Sequence, residues 1–278
     1  MKIDAHQHFW RLSNGFYDWL TPGLTAIYRD FESAHLLGLL VPANIDGTVA
    51  IQAAADPRET EFLLNLAAAH PFIKGVVGWI DMETPAGIAE LRTFARNPLF
   101  KGIRPMLQDI APEDWMLQPR LDPAYRALIE LGLSFDALVK PPHLGALLTL
   151  GTRYPDLPIV IDHGAKPAIR DGFDGFALWA EKVARLAEMP NTFCKLSGLL
   201  TEAKPGAGLE DLRPYLDHLY ESFGPSRLMW GSDWPVLLLE RAYADWNGMF
   251  VAWLASKPAS EQVDMLGGTA ARFYRLKA

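Results

Sequence analysis

Eight short apolar runs, separated by longer amphipathic stretches, constrain this 278-residue chain more than any other feature of its sequence. The runs are rich in Val, Ile and Phe and are bounded by Gly, Pro or Asp, which is typical of buried parallel strands. We predict strands at KIDAHQH, GTVAIQAA, IKGVVGWID, FKGIRPML, LSFDALV, PIVIDHG, TFCKLSG and RLMWGSD.

The stretches between these runs carry the start and stop signals of helices. DPRETEFLLNLAAAH opens with an acidic turn and continues with apolar residues at helical spacing. DPAYRALIELG begins with Asp-Pro and stops at Gly132, while PHLGALLTLGTRYP and GFALWAEKVARLAEMP each end at a proline. Eight β-α alternations predict an α/β fold, a (β/α)8 barrel rather than an open sheet. No linker or repeat divides the sequence, so we expect one domain over residues 1–278.

Composition excludes several classes of partner. The net charge is −7 without any basic block, which disfavours nucleic acid and anionic membrane surfaces. The apolar stretches are far shorter than the roughly 20 residues that span a bilayer, and no signal peptide is visible. The single Cys194 excludes an internal disulfide. We therefore expect a cytoplasmic protein, monomeric or homo-oligomeric, whose partner is a small molecule.

Polar residues stand at the carboxyl ends of the predicted strands, where a barrel of this type builds its active site. His6 and His8 are two residues apart in a strand, so their side chains point to the same face. The whole set along the chain is His6, His8, Gln52, Asp81, Arg104, His163, Lys195, Ser197 and Asp233. We expect these side chains to face one cavity.

Each of these residues also has a structural alternative. His163 could be a helix cap or a core imidazole, and Asp233 could cap a helix. Arg104 could pair with a carboxylate, and Lys195 could form a salt bridge across the barrel mouth. The shared rim favours a functional role for the first three.

Other polar residues are expected to be structural. His143 follows two prolines at a helix start, where capping is its expected role. Asp4 has the same parity as His6 and His8 but lies deeper, so we expect it to be the buried partner of a histidine or an arginine. Cys194 has the opposite parity to Lys195 and is expected to pack against helices.

The residue types at the rim indicate hydrolysis by activated water. A carboxylate can take a proton from water while imidazoles and a guanidinium polarise a carbonyl oxygen. The sequence has no nucleophile elbow, no Walker-type loop and no GxGxxG, which disfavours an acyl-enzyme and nucleotide cofactors.

Aromatic residues at the predicted rim indicate the substrate class. Tryptophan faces suit the C–H faces of a sugar ring, although long barrel loops also use aromatics to pack themselves. The rim aromatics are Trp10, Trp19, Trp79, Trp115, Trp234 and Tyr17. We predict substrate contacts for Trp10, Trp79, Trp115 and Trp234. Gln52 and Lys195 are predicted substrate-binding residues as well. Because Arg104 is the one well-placed arginine, a neutral sugar ring fits better than a dicarboxylate.

The ordered set of His-x-His on strand one, His163 on strand six and Asp233 on strand eight resembles the amidohydrolase superfamily. The phrases IDAHQHFW, KGIRPML, DHGAKP, CKLSG and GSDWP resemble its sugar-lactonase branch more narrowly. The resemblance implies a barrel hydrolase that opens an aldonolactone such as L-fucono-1,5-lactone to the aldonic acid. In this reading Asp233 is the general base, and Arg104, His163, His6 and His8 hold the carbonyl.

The resemblance also implies a metal site, although the sequence lacks part of the ligand set of the binuclear members. His6, His8, His163 and Asp233 match metal-site positions of the superfamily. Arg104 stands where binuclear members have a bridging lysine, and strand five carries no histidine. At most one Zn²⁺ could then be held by His6, His8 and Asp233, and the resemblance implies catalysis without a required metal.

Two alternatives stay open from the sequence. Barrels with the same set of residues include zinc-dependent decarboxylases and other metal-dependent amidohydrolases that act on small acids or amides. A non-catalytic sugar-binding barrel is the other alternative, although simple binding has no need of Asp233.

Overall fold

The eight predicted strands pair in chain order in the computed structural model, which describes residues 1–277. All seven neighbouring pairs are parallel. The strands are β1 Ile3–Gln7, β2 Gly47–Ile51, β3 Ile73–Gly78, β4 Phe100–Ile103, β5 Ser134–Ala137, β6 Ile159–Ile161, β7 Thr192–Leu196 and β8 Leu228–Trp230. The prediction of a (β/α)8 barrel is confirmed.

The first and last strands meet just beyond their carboxyl ends. Gln7 and Trp234 form a parallel bridge there, and the His8 amide donates to the Trp234 carbonyl at 2.7 Å. Gly231 lies against this junction, because a Cβ on it would stand 2.7 Å from the Cβ of His6. This close approach brings the residues after β8 beside those that end β1.

Helices follow the strands around the barrel. The described residues form α1 Ser33–Ala43, α2 Pro57–Ala69, α3 Pro85–Phe94, α4 Asp122–Leu131, α5 Leu144–Arg153, α6 Phe176–Ala187, α7 Leu199–Glu202, α8 Leu209–Phe223, α9 Tyr243–Leu254, α10 Ala259–Val263 and α11 Thr269–Phe273. The sequence signals explain the ends of these helices. Asp56 caps α2 by accepting from the Arg58 amide, and Gly132 ends α4 in the left-handed conformation.

Two apolar clusters make the core. The larger one contains the outward faces of the strands and the inner faces of the helices. The smaller contains Ile3, Val49 and Val160, packed with Phe273 and Tyr274 from the C-terminal segment. The hydroxyl of Tyr274 donates to the Asp136 carboxylate at 2.6 Å, so this cluster borders the polar groups inside the barrel.

Candidate active site

His6 and His8 form the base of the site at the end of β1. Both rings are buried, and their Nε2 atoms are 3.3 Å apart. The Nδ1–H of His8 donates to the Ile51 carbonyl at 2.8 Å, which leaves Nε2 as the unprotonated nitrogen of the neutral ring. Burial lowers the pKa of both imidazoles, that of His6 well below its usual value. The two side chains therefore converge as neutral groups at neutral pH.

Asp4 does not share their side, and its predicted role is corrected by the structure. The pairing of β1 with β2 shifts register between Asp4 and Gln7, which breaks the alternation of faces. The Asp4 carboxylate accepts from the Ser232 amide at 2.8 Å, the His6 amide at 3.2 Å and the Tyr243 hydroxyl at 3.1 Å. It braces the segment after β8 and is not the side-chain partner of a histidine or an arginine.

Asp233 is the point on which the imidazoles converge. Its Oδ1 is 3.3 Å from His8 Nε2, 3.6 Å from His6 Nε2 and 3.8 Å from His163 Nε2. Burial opposes ionisation, but the nearby imidazoles, His163 first, outweigh it and hold the pKa of this carboxyl below its usual range. Asp233 is left-handed at φ 59°, and its amide donates to the His6 carbonyl at 2.8 Å. The backbone thus fixes this carboxylate against β1.

His163 reaches the same point from the turn after β6. Its Nδ1 shares a hydrogen bond of 2.9 Å with the Ser197 hydroxyl, which orients the ring. Burial lowers the pKa of His163 to about 4, so this imidazole is neutral at neutral pH as well. Ser197 is thus an orienting partner of His163.

Arg104 supplies a buried positive charge beside the histidines. Its Nη1 is 3.4 Å from His6 Nε2 and donates to Asp162 Oδ2 at 3.3 Å. Its Nη2 donates to the backbone and side-chain oxygens of Gln52, whose amide donates back to the Arg104 carbonyl. The structure therefore places Gln52 against the guanidinium and outside the cavity lining, and substrate contact by Gln52 stays a prediction.

Lys195 lies below the site, inside the barrel. Its ammonium donates to Asp136 at 2.7 Å and is 2.9 Å from Asp162 and 3.3 Å from His6 Nδ1. Burial would raise the pKa of Asp162, but Lys195 and His6 hold it well below its usual value, whereas burial raises the pKa of Asp136. The side chain is fully buried in this ion pair, and substrate contact by Lys195 stays a prediction.

A cavity of about 290 Å³ opens above these groups. Its described lining residues are His8, Trp19, Ala53, Arg104, Met106, Gln108, Asp109, Leu138, His163, Lys166, Asp233 and Val236. Four of the five residues with a predicted chemical role (His8, Arg104, His163 and Asp233) are among them. His6 lies directly beneath, within reach of the same carboxylate.

None of the four tryptophans predicted to contact substrate is among those lining residues, and their contact with substrate stays a prediction. Trp10 is buried and donates to the Arg29 carbonyl, and Trp234 packs on Phe31. Trp79 takes part in hydrogen bonds through its backbone, with the Thr60 hydroxyl, and Trp115 donates to Glu83 at 2.6 Å. The loops thus use the rings of Trp10, Trp115 and Trp234 for their own contacts. Trp19 alone of the rim tryptophans lines the cavity, fixed by a hydrogen bond of 2.7 Å to the Ala53 carbonyl.

The remaining predicted positions have structural roles. The Asp81 carboxylate accepts from the Glu83 amide in the loop after β3. The His143 ring accepts from the Lys140 amide at 3.1 Å, which is the predicted cap. Cys194 is buried in the larger apolar cluster, and burial raises the pKa of its thiol.

The donor atoms at the site fit a single metal ion. Two imidazole nitrogens and one carboxylate oxygen, from His6, His8 and Asp233, lie within 4.8 Å of one another and are all buried. Three protein ligands of these types, with an open position for water, suit a catalytic zinc. His6 Nδ1 faces the Asp162 carboxylate at 3.4 Å, and with the proton on Nδ1 the Nε2 lone pair of His6 is available to a metal. Arg104 puts a fixed positive charge next to this position, which weakens cation binding.

Several residues of the site were not predicted. Asp162 and Asp136 balance the buried cations, and they stand in strand-end phrases, IDHG and SFDALV, whose parity could have indicated them. Lys166, Gln108 and Asp109 line the cavity from loops, where no periodic signal exists.

Known proteins match this sequence over nearly all of its length. The sequence model of the family described as amidohydrolase matches residues 3–276. The chain belongs to this amidohydrolase family.

The similar proteins include two lactonases and a solved structure from Burkholderia. An L-fucono-1,5-lactonase of Burkholderia ambifaria is 43% identical over 99% of this chain and 96% of its own length. An L-fucono-1,5-lactonase of Burkholderia multivorans is 37% identical over 99% of this chain and 96% of its own. The crystal structure of a Burkholderia multivorans amidohydrolase with bound zinc is 34% identical and superposes with a TM-score of 0.95, covering 100% of both chains.

Proposed function

We propose that this protein hydrolyses a neutral sugar lactone, L-fucono-1,5-lactone or a close relative, to the aldonic acid. The observation that carries the proposal is the convergence of three imidazoles on one Asp233 oxygen, beside Arg104, at the floor of a cavity. The similarity to lactonases of known substrate supports the same reaction.

Asp233 is the proposed general base. Its depressed pKa keeps it ionised at neutral pH, ready to accept a proton from water. As negative charge develops on the neighbouring carbonyl oxygen, Coulomb repulsion raises the proton affinity of this carboxylate during the reaction. The protonated Asp233 then returns its proton to the ring oxygen as the acyl C–O bond breaks.

Arg104, His163 and His6 are the proposed oxyanion partners. The guanidinium is held by Gln52 and Asp162 before any substrate arrives, so its charge needs no reorganisation during the reaction. His163 lines the same cavity and can donate from Nε2 while its Nδ1 accepts from Ser197. His6 can donate from Nε2 while its Nδ1 accepts from Lys195. The Nε2 of His8 carries a lone pair and cannot donate to an oxyanion. Arg104 is thus proposed to carry most of the developing charge.

Zinc is proposed as an optional occupant held by His6, His8 and Asp233. When bound, Zn²⁺ polarises a carbonyl and lowers the pKa of water. The reaction described above is performed by the side chains of this chain, and we propose that no metal is required for it.

The lining of the cavity supports a neutral substrate. Two cationic residues, Arg104 and Lys166, stand against two acidic ones, Asp109 and Asp233. Ala53, Met106, Leu138 and Val236, together with Trp19, add an apolar wall. Balanced charge beside an apolar wall suits a polyol ring with an apolar face better than a dicarboxylate.

The cellular setting follows from the sequence and remains a prediction. Among residues 1–277, no helix combines the length and apolarity that crossing a membrane requires. We propose a cytoplasmic enzyme that folds as one domain, monomeric or homo-oligomeric.

The deciding experiment measures acid release from a panel of aldono-1,4- and 1,5-lactones, corrected for spontaneous opening. The protein is treated with chelator first and assayed with and without added Zn²⁺. Rapid opening of L-fucono- or L-galactonolactone without zinc supports the proposal. Activity only after zinc is added would indicate a metal-dependent hydrolase, and no lactone opening under either condition would refute a lactonase and favour the decarboxylase alternative.

A further inference from the structure

Four consecutive residues after β6 have left-handed backbone. The φ values are 56° at His163, 57° at Gly164, 64° at Ala165 and 49° at Lys166. Left-handed conformation is unfavourable for a residue with a Cβ, and it normally occurs at single positions. Such strain persists only where the surrounding structure enforces it, and it is concentrated at functional sites.

The surroundings enforce this turn through named contacts. Trp179 on α6 donates its indole N–H to the Gly164 carbonyl at 2.8 Å. The Lys166 amide donates to the His163 carbonyl at 2.9 Å, and the Ala165 side chain is fully buried. These contacts hold the turn, so the side-chain directions of its first residue, His163, and its last, Lys166, are fixed together.

The result is that His163 and Lys166 both line the catalytic cavity. The Lys166 side chain is only 18% exposed, and its ammonium is 3.5 Å from Glu202. That separation exceeds the roughly 2.7–2.9 Å of a charge-assisted hydrogen bond, so the ion pair leaves ammonium donors free for a ligand. The Arg104 side chain is buried more deeply, at 4% exposure, which places Lys166 nearer the entrance.

We propose that Lys166 binds the ring hydroxyls of the lactone and that Glu202 orients its ammonium. The inference rests on the proposed lactone hydrolysis and adds a determinant of specificity for polyhydroxylated over unsubstituted lactones. A hydroxyl oxygen accepts well from an ammonium group, whereas an unsubstituted methylene ring offers nothing at that position.

The test compares Lys166→Met with wild-type protein on L-fucono-1,5-lactone and on δ-valerolactone. The second lactone is measured as a substrate or, where its turnover is too slow, as a competitive inhibitor. We expect kcat/KM for the sugar lactone to fall about 10- to 100-fold, mostly through KM, as for loss of a charged hydrogen bond. We expect the KM or Ki for δ-valerolactone to change less than about threefold, because no such bond is lost.

Two further variants separate binding from folding. Lys204→Met removes an exposed lysine outside the cavity lining and should leave both lactones unaffected. Lys166→Arg keeps a positive donor and should recover part of the lost KM. Equal losses on both lactones, or no loss on either, would overturn the role of Lys166. Absence of lactone turnover by wild-type protein would instead refute the proposed function on which it rests.

Discussion

Replacement of Arg104 by methionine removes the cation that is proposed to stabilise the oxyanion. The Arg104 side chain is only 4% exposed, and its Nη1 is 3.4 Å from His6 Nε2. Loss of one preorganised oxyanion donor costs on the order of 10²–10³ in rate. We therefore expect kcat to fall by about that factor, since the interaction strengthens in the transition state.

The same substitution has a cost in stability that can be worked from its contacts. Gln52 and Asp162 lose donors, and each buried acceptor left unsatisfied costs about 1–3 kcal/mol. Asp162 keeps its ion pair with Lys195 at 2.9 Å. We therefore expect the free energy of unfolding to fall by about 2–4 kcal/mol, less than the roughly 5–15 kcal/mol that keeps a domain folded.

The assay is acid release from L-fucono-1,5-lactone, with thermal unfolding measured in parallel. Arg58→Met is the control, because Arg58 is an exposed arginine whose ion pair contributes little. Arg104→Lys keeps the charge without the planar fork and should recover only part of the rate. A folded Arg104→Met protein with kcat/KM within about threefold of wild type would refute the oxyanion role.

Three further predictions follow from the same structure. Gly198→Ala should displace His163 and lower the rate of lactone opening, because the new Cβ would lie 2.4 Å from His163 Nδ1. Gly15→Ala is the control with a similar φ and nothing within 4 Å, and should keep full activity; equal rates for both variants would contradict the fixed position of His163. Burial raises the pKa of Glu59 to about 8, so between about pH 4.5 and 8 the folded state holds a proton that the unfolded chain loses, and stability falls as pH rises through that window. Glu59→Gln should flatten the dependence of Tm on pH there, and an unchanged slope would contradict the raised pKa of Glu59. Metal analysis should find at most one zinc per chain, and removal of the zinc should preserve most of the activity; loss of activity restored by zinc would contradict the metal-free reaction.

The barrel could be predicted from the sequence because its signals are local. Each strand is a short run of apolar residues, and helices α2 and α4 carry their own start and stop residues. The convergence of His6 and His8 also follows from strand alternation. Asp4 shows the limit of that argument, since one register shift in β1 turned its carboxylate toward Tyr243.

The rest of the site depends on tertiary contacts that leave no periodic trace. Lys195 looks like a rim residue in the sequence, but in the structure it meets Asp136 of β5 and Asp162, just after β6, inside the barrel. Trp115 lies after β4, but its partner Glu83 comes from the loop after β3. Lys166 reaches the cavity only because four residues are left-handed, a conformation that its sequence does not favour.

The most direct test of the account compares Asp233→Asn with wild-type protein for acid release from L-fucono-1,5-lactone. Asparagine keeps the size of the side chain and its contacts in the left-handed position but cannot accept the proton of water. We expect wild-type protein to open the lactone and the variant to lose at least about 10²–10⁴-fold in kcat, with its thermal unfolding still cooperative. Comparable rates for the two proteins would contradict the assignment of Asp233 as the base.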